Sequence, residues 1–294
     1  MHDRRRITGI EARAILALAV IGAVAVGCGG SEPEPQAATD VIVTPPAPPA
    51  PPLPATPPPA PPPPPITVTP GENGPLPEGP TAKVRILSPT RDQVVRAGPV
   101  KVRLQVRNWH TEPEGPHVHV VVDDQPYRRI DDPAQTIELT DLAEGEHWLR
   151  VFPSRATHES VKTPGAFAWV RFFVGSRPAD APALPRGPMP ILTYSRPKGA
   201  MEGDAANHVL FDFYLADVTL APDGAKVHYW IDGANEGDIT AWVPHSIDNL
   251  PDGPHRITLE LRDPHGQPIP GRFNRTEHEI SVSRAGAQPQ HTTH

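Results

Sequence analysis

An internal repeat constrains this chain more than any other feature of its sequence. The string GPHVHVVVDDQPY returns as AKVHYWIDGANEG, and IELTDLAEGEHWLRVF returns as HSIDNLPDGPHRITLEL. Three histidines return at offsets of 109, 108 and 107 residues, which pairs His119 with His228, His147 with His255 and His158 with His265. Two copies at a nearly constant spacing predict two modules of one fold, each of about 100 residues.

Each copy has the pattern of an all-β module. Val102, Leu104 and Val106 alternate with charged or polar residues, and the same alternation returns near residue 260. Turn sequences such as Pro-Asp-Gly separate these runs. The pattern predicts an all-β fold of two tandem Ig-like antiparallel β-sandwiches, over residues 81–175 and 191–284. A proline-rich linker over 176–190 separates them, and the tail 285–294 is expected to be disordered.

The strings LAEGEHWLRV and LPDGPHRITLEL resemble a signature of bacterial Ig-like and fibronectin-type modules, L-x-x-G-x-H-x-x-x-V/L. An Asp-Gly pair often ends the middle strand of such modules, as in VHYWIDG of the second copy. The first copy has Asp124 in place of that Gly. The resemblance implies the sandwich fold and leaves the function open, because such modules serve many roles.

The N-terminus has the features of a secretory signal peptide over residues 1–27. Three consecutive arginines, Arg4 to Arg6, precede an apolar stretch of 13 residues from Ala14 to Val26. That stretch fits a signal peptide, because a membrane-spanning helix needs about 20 residues. The sequence Ala-Val-Gly-Cys at its end resembles the lipobox of bacterial lipoproteins, with Ala25 where Leu is usual.

Cys28 is the single cysteine of the chain. The resemblance implies that Cys28 carries a diacylglycerol and becomes the acylated N-terminus, so that the membrane is a partner through this lipid; a buried or free thiol is the alternative. Gly29 implies sorting to the outer membrane, because the Asp that retains some lipoproteins at the inner membrane is absent there. If Cys28 is lipidated, the modules have no disulfide to stabilise them.

A proline-rich segment follows over residues 28–80. It holds 21 of the 43 prolines of the chain, between Pro33 and Pro80, and few residues that could build a core. The composition predicts a disordered stalk with polyproline II character; a ligand for an SH3-like domain is the alternative. The net charge of −7 argues against nucleic acid as a partner.

Fourteen histidines raise the question of a metal. His117 and His119 lie two residues apart, which on a strand places both rings on one face, and this spacing suits copper or zinc. Alternation with Val118 predicts that they point outward. His147 and His255 are expected to point inward and to hydrogen-bond the backbone after a glycine turn. His158 and His265 fall in a loop and are expected to be solvated.

One face of the first module is aromatic, whereas the second module has polar residues at the matching positions. If Leu149 and Val151 face the core, the residues between them face outward, and the last strand follows the same rule. This candidate binding face consists of Trp148, Phe152, Phe167, Trp169 and Phe173. Such a patch predicts a contact: with the second module or the linker, or with an envelope glycan or another envelope protein. A one-residue error in register would turn the patch inward.

No nucleophile elbow, phosphate-binding loop or zincin motif is present in the sequence. The sequence therefore predicts a non-enzymatic binding or structural module without a cofactor, anchored to the cell envelope by a lipid. The alternative is a periplasmic copper- or zinc-binding sandwich that uses His117 and His119.

Overall fold

The structure, a computed structural model, describes residues 62–284. The predictions for the signal peptide, for Cys28, for the stalk up to residue 61 and for the tail concern residues outside this range. The described chain forms a short 3-10 helix, Gly203–Ala206, and strands β1 (Thr67–Pro70), β2 (Lys83–Ser88), β3 (Val94–Val95), β4 (Val100–Arg107), β5 (His117–Val122), β6 (Arg128–Ile130), β7 (Ile137–Leu139), β8 (Gly145–Ser154), β9 (Ala168–Val174), β10 (Ile191–Arg196), β11 (Gly199–Glu202), β12 (His208–Ala216), β13 (Lys226–Ile231), β14 (Asn235–Ile239), β15 (His245–Asp248), β16 (Gly253–Arg262) and β17 (Arg275–Ser283).

Two sandwiches of matching topology contain these strands. In the first, a sheet of order β2-β4-β7 faces a sheet of order β3-β9-β8-β5-β6. In the second, the corresponding orders are β15-β12-β10, extended by β1, and β11-β17-β16-β13-β14. Even the parallel pair β3–β9 returns as β11–β17. The predicted fold of two tandem Ig-like sandwiches is confirmed.

Each sandwich has its own core, built from the alternating positions of its strands. Val102, Leu149 and Phe172 are buried in the first core, and Phe211, Ile231 and Leu259 in the second. Burying each of these side chains stabilises the fold by about 1.5–3 kcal/mol. The described sandwiches contain no cysteine, so their stability depends on this burial.

The proline-rich stalk was predicted to extend to residue 80, and this boundary is wrong. Strand β1 pairs antiparallel with β15 and so becomes an edge strand of the second sandwich. The physical reason is local, since the sequence Ile66-Thr67-Val68-Thr69 alternates apolar and polar residues and all four are β-branched. Ile66 and Val68 pack against the second core.

Within residues 62–284, no helix has the length and hydropathy needed to span a membrane.

Candidate metal centre

The second sandwich covers the aromatic face of the first. Trp148, Phe152 and Phe173 are buried, whereas Phe167 and Trp169 are half-buried. These side chains lie outside the first core, so the alternation places them on the outer face of the sheet. Of the contacts that the sequence left open, the structure shows the one with the second sandwich and the linker. The alternative prediction, that these five residues form an exposed surface for a glycan or another protein, is wrong because Trp148, Phe152 and Phe173 are buried.

The covering residues come from several elements of the second sandwich. Tyr214 on β12 stacks on Phe167 with a centroid distance of 4.8 Å and lies 5.0 Å from Phe152. Phe273 lies edge-on to Trp148 at 5.8 Å. The guanidinium of Arg150 lies 3.8 Å from the Phe273 ring centroid and donates to the backbone oxygen of Leu192 at 3.1 Å. Aromatic and cationic side chains thus form one continuous contact between the sandwiches.

An ion pair between the sandwiches is also buried. Lys162, in the loop between β8 and β9, contacts the carboxylate of Asp212 on β12. The side chains of Lys162 and Asp212 are 3% and 0% exposed, and Asp212 also accepts the backbone N–H of Ser160 at 2.8 Å. A paired buried charge of this kind fixes one relative placement of the two surfaces.

His117 and His119 lie at the edge of this covered face, and both are fully buried. The prediction that they point away from the core of the first sandwich agrees with their positions on β5, because Val118 and Val120 belong to that core. The outward direction does not expose them, because Ser195 of the second sandwich and His158 of the β8–β9 loop lie against their rings. Their Nε2 atoms are 2.9 Å apart.

His158 joins this pair, although the sequence predicted a solvated loop residue. Its Nδ1 lies 3.1 Å from Nε2 of His117, and one nitrogen of each of the three rings lies within 4.8 Å of the others. His158 occupies a tight turn closed by a bridge between Ser154 and Ser160, and its φ is 68°. Eight other non-glycine residues of the described chain also have a positive φ, most of them Asp or Asn in turns, so this conformation marks His158 as a turn residue.

The hydrogen bonds around the rings determine which nitrogens face one another. Nδ1 of His117 lies 2.9 Å from the backbone oxygen of Gly115 and must donate to it, since a carbonyl only accepts. In a neutral ring, Nε2 of His117 is then unprotonated, and its lone pair points toward the other two rings. Nδ1 of His119 lies 3.3 Å from the Ser195 hydroxyl, which leaves its Nε2 for the centre. Partners of this kind orient histidine ligands in metal sites.

Burial keeps the three imidazoles neutral. Desolvation lowers the pKa of His117 and holds the pKa of His119 well below its ordinary value of 6.5. Desolvation, reinforced by Arg196, lowers the pKa of His158 to about 3. Neutral imidazole is the form that binds a metal ion. Because the lowered pKa values disfavour protonation, protons compete weakly with a metal ion for these nitrogens.

The ring nitrogens lie close to the spacing that a metal ion needs. Metal–nitrogen bonds of about 2.0–2.1 Å place two imidazole nitrogens about 3.3–3.6 Å apart around one ion. The separations of 2.9 and 3.1 Å to Nε2 of His117 are a few tenths of an ångström shorter than this. All three nitrogens lie within 4.8 Å of one another, so the rings would have to rotate before one ion could bind all three. Without one, Nε2 of His117 would accept hydrogen bonds from both neighbours.

Tyr127 forms the wall of the site on the side of the second sandwich. Its ring stacks on His119 with centroids 3.5 Å apart, and its hydroxyl lies 3.3 Å from Nδ1 of His158. Lys198 donates to the backbone oxygen of Tyr127 at 2.7 Å and lies 4.1 Å from the centre of its ring. The turn after β10 thus seals a site whose three nitrogens all come from the first sandwich.

The second copy of the repeat does not form an equivalent site. His228, the counterpart of His119, hydrogen-bonds Asp238 at 2.6 Å, and His265, the counterpart of His158, is exposed. Across residues 62–284, His117, His119 and His158 form the one group of at least three His, Cys, Asp or Glu residues that are close enough together to share an ion.

His147 and His255 have the structural role predicted for them. Nε2 of His147 lies 2.8 Å from the Ala143 oxygen, and Nε2 of His255 lies 2.8 Å from the Pro251 oxygen. The structure adds a partner that the sequence did not indicate. Nδ1 of each ring contacts a carboxylate at 2.7 Å, from Asp123 in the first copy and from Asp232 in the second.

Comparisons with known proteins give the fold alone. No known family model and no curated protein sequence matches the chain. Among solved structures, the chain is similar to the fibronectin(III)-like modules of Clostridium thermocellum CbhA, with 16% identity over 72% of this chain and 100% of that one, at a TM-score of 0.27. It is also similar to the central fibronectin-III array of RIM-binding protein, with 12% identity over 72% of this chain and 63% of that one, at a TM-score of 0.24.

A third structure is the Bacteroides ovatus mixed-linkage glucan utilization locus protein SGBP-B, in complex with a mixed-linkage heptasaccharide. It has 14% identity over 69% of this chain and 48% of that one, at a TM-score of 0.21. These similarities concern the fold and carry no information about ligands.

Proposed function

We propose that this chain is a non-enzymatic metal-binding protein of the cell envelope that holds one copper or zinc ion on His117, His119 and His158. The observation that carries the proposal is the convergence of three neutral, largely buried imidazole nitrogens, which lie within 4.8 Å of one another. Imidazole is a ligand that both metals accept.

The arrangement favours storage or transfer of the ion over catalysis. His117 and His119 are fully buried, and the second sandwich closes the site through Ser195 and the turn that follows it. A catalytic zinc site keeps an open position for water or substrate, whereas this site is enclosed by protein. The covered aromatic face also removes the surface on which a glycan or protein ligand was expected.

Attachment to the envelope is the second part of the proposal. The lipobox that ends in Cys28 supports it, together with the proline-rich segment that separates Cys28 from the sandwiches. Cys28→Ser should abolish incorporation of a fatty-acid label and leave the protein unprocessed. Equal labelling of the variant and the natural protein would contradict lipid anchoring and would leave the metal site untouched.

Competition titrations of the full-length protein in detergent, against chromophoric chelators for each metal, would test the metal site. We expect one equivalent of metal per chain and a loss of affinity of at least about a hundredfold in His158→Asn, since outer partners alone cost 10–100-fold when removed from metal sites. Asn is chosen because it tolerates the positive φ of this turn.

His265→Asn is the matched control, because it changes the exposed counterpart of His158 in the second copy. It should bind metal as the natural protein does. Equal affinity in the two variants, or no binding by the natural protein, would contradict the proposed function.

A further inference from the structure

The charges around the three histidines restrict which ion the site can hold. Imidazole brings no negative charge to the site, and three cationic side chains lie around it. Arg196 and Lys198 of the second sandwich lie 5.5 and 4.1 Å from the centre of the Tyr127 ring, which stacks on His119. Arg129, on β6, lies opposite His119 in the strand register.

The carboxylates of this region are already paired with cations. Asp131 contacts Nε of Arg129 at 2.7 Å, and Asp212 is paired with the buried Lys162. Among the His, Cys, Asp and Glu side chains of residues 62–284, the three rings are the group whose ligand atoms converge at this place.

A divalent ion here would carry its full charge into a buried region that is already positive. Coulomb repulsion from Arg196 and Lys198 is proportional to the charge of the ion, so it is twice as large for Zn²⁺ as for a singly charged ion. Structural zinc sites are almost always tetrahedral with four ligands, usually including thiolates that offset the charge. Three neutral nitrogens provide neither the fourth ligand nor the offset.

We infer that the resident ion is monovalent copper, held in a three-coordinate site by Nε2 of His117, Nε2 of His119 and Nδ1 of His158. This inference rests on the proposed metal-binding function and specifies the ion. Cuprous ion accepts a trigonal set of neutral donors and experiences half the repulsion of a divalent ion. Phe152 lies edge-on to His119 at 5.3 Å and helps to keep the site closed to water.

The test compares the affinities of the full-length protein for Cu⁺, titrated anaerobically against a bicinchoninate chelator, and for Zn²⁺, titrated against a zinc chelator. The natural protein should bind Cu⁺ at least about a hundredfold more tightly than Zn²⁺. Lys198→Gln removes one cation and keeps a donor for the backbone oxygen of Tyr127. It should raise the affinity for Cu⁺ about threefold and that for Zn²⁺ about tenfold, because the second factor is the square of the first.

Lys226→Gln is the control, since Lys226 pairs with Asp238 in the second sandwich, away from the site. It should change neither affinity, and thermal unfolding should show that both variants are folded. Tighter binding of Zn²⁺ than of Cu⁺, or equal gains for both ions in Lys198→Gln, would overturn the inference and leave the metal-binding function standing. Failure to bind either ion would contradict the proposed function itself.

Discussion

At the scale of single residues, histidine serves two different purposes in this chain. His147 and His255 hold turns, each between a backbone oxygen and a carboxylate. His117, His119 and His158 instead present nitrogens to one another. The residue type is the same, and the difference lies in whether a carboxylate or another imidazole is the nearest partner.

Replacing His255 tests the turn-holding role. His255→Ala should lower the free energy of unfolding by about 1–3 kcal/mol, because it leaves the Pro251 oxygen without its donor. Urea denaturation would measure this. His208→Ala is the control, since its ring is 80% exposed and its pair with Asp248 should contribute less than about 1 kcal/mol. Equal losses in the two variants would contradict the assignment.

The pH dependence of the metal-free protein tests the burial of the trio. The folded-state pKa of His158 is about 3, against an ordinary value of 6.5. Between these values the unfolded chain binds more protons than the folded one, so stability should fall as pH falls below about 6.5. The slope of unfolding free energy against pH should be smaller in His158→Asn than in His265→Asn. Equal slopes would mean that His158 is not desolvated.

The sequence could predict part of this site and not the rest. Alternation on β5 places His117 and His119 on one face, because strand geometry has a period of two residues. Nothing comparable marks His158, whose position depends on a turn with positive φ and on the docking of a second sandwich. Its exposed repeat counterpart, His265, even suggests the opposite.

At the scale of elements, strand β1 links the proline-rich segment to the second sandwich instead of the first. Its residues precede the first sandwich in sequence, yet Thr67–Pro70 pairs with His245–Asp248. The proline content obscured this strand, because proline is tolerated at the edge of a sheet, and β1 is an edge strand. The other strands could be predicted because both copies repeat the same alternation of apolar and polar residues.

Limited proteolysis tests the placement of β1. In the natural protein, the stable fragment should begin upstream of Thr67, whereas Val68→Asp should release β1 and shift cleavage to residues 71–80. Val68 is partly buried against the second core. Placing an unpaired carboxylate there should cost more free energy than the pairing of this short edge strand contributes. Thr69→Lys, on the exposed side of the same strand, should leave the fragment unchanged. The same fragment in all three proteins would contradict the pairing of β1 with β15.

At the scale of the whole molecule, the two sandwiches act as one unit because an aromatic face is shared between them. Phe152 and Tyr127 of the first sandwich form a cluster with Tyr214 of the second. The sequence showed the asymmetry between the copies and could not choose among the partners for the patch. That choice required the relative placement of the sandwiches, which depends on contacts far apart in sequence.

Replacing an aromatic residue in this contact tests the coupling. Phe152→Ala should destabilise the protein by about 3–5 kcal/mol and split one thermal unfolding transition into two, because the variant loses contacts with Tyr214. It should also weaken metal binding, since Phe152 lies against His119. Trp230→Ala, on the corresponding sheet of the second sandwich, should keep a single transition and full metal binding. Independent unfolding of the sandwiches in the natural protein would contradict the coupling.

A crystal structure of the metal-loaded, full-length protein, with diffraction data collected on both sides of the copper absorption edge, tests the central claim most directly. We expect one anomalous peak per chain, about 2.0–2.1 Å from Nε2 of His117, Nε2 of His119 and Nδ1 of His158. A peak at His208 or His228 with an empty trio, or no peak at full metal load, would contradict the claim that these three histidines form the metal site.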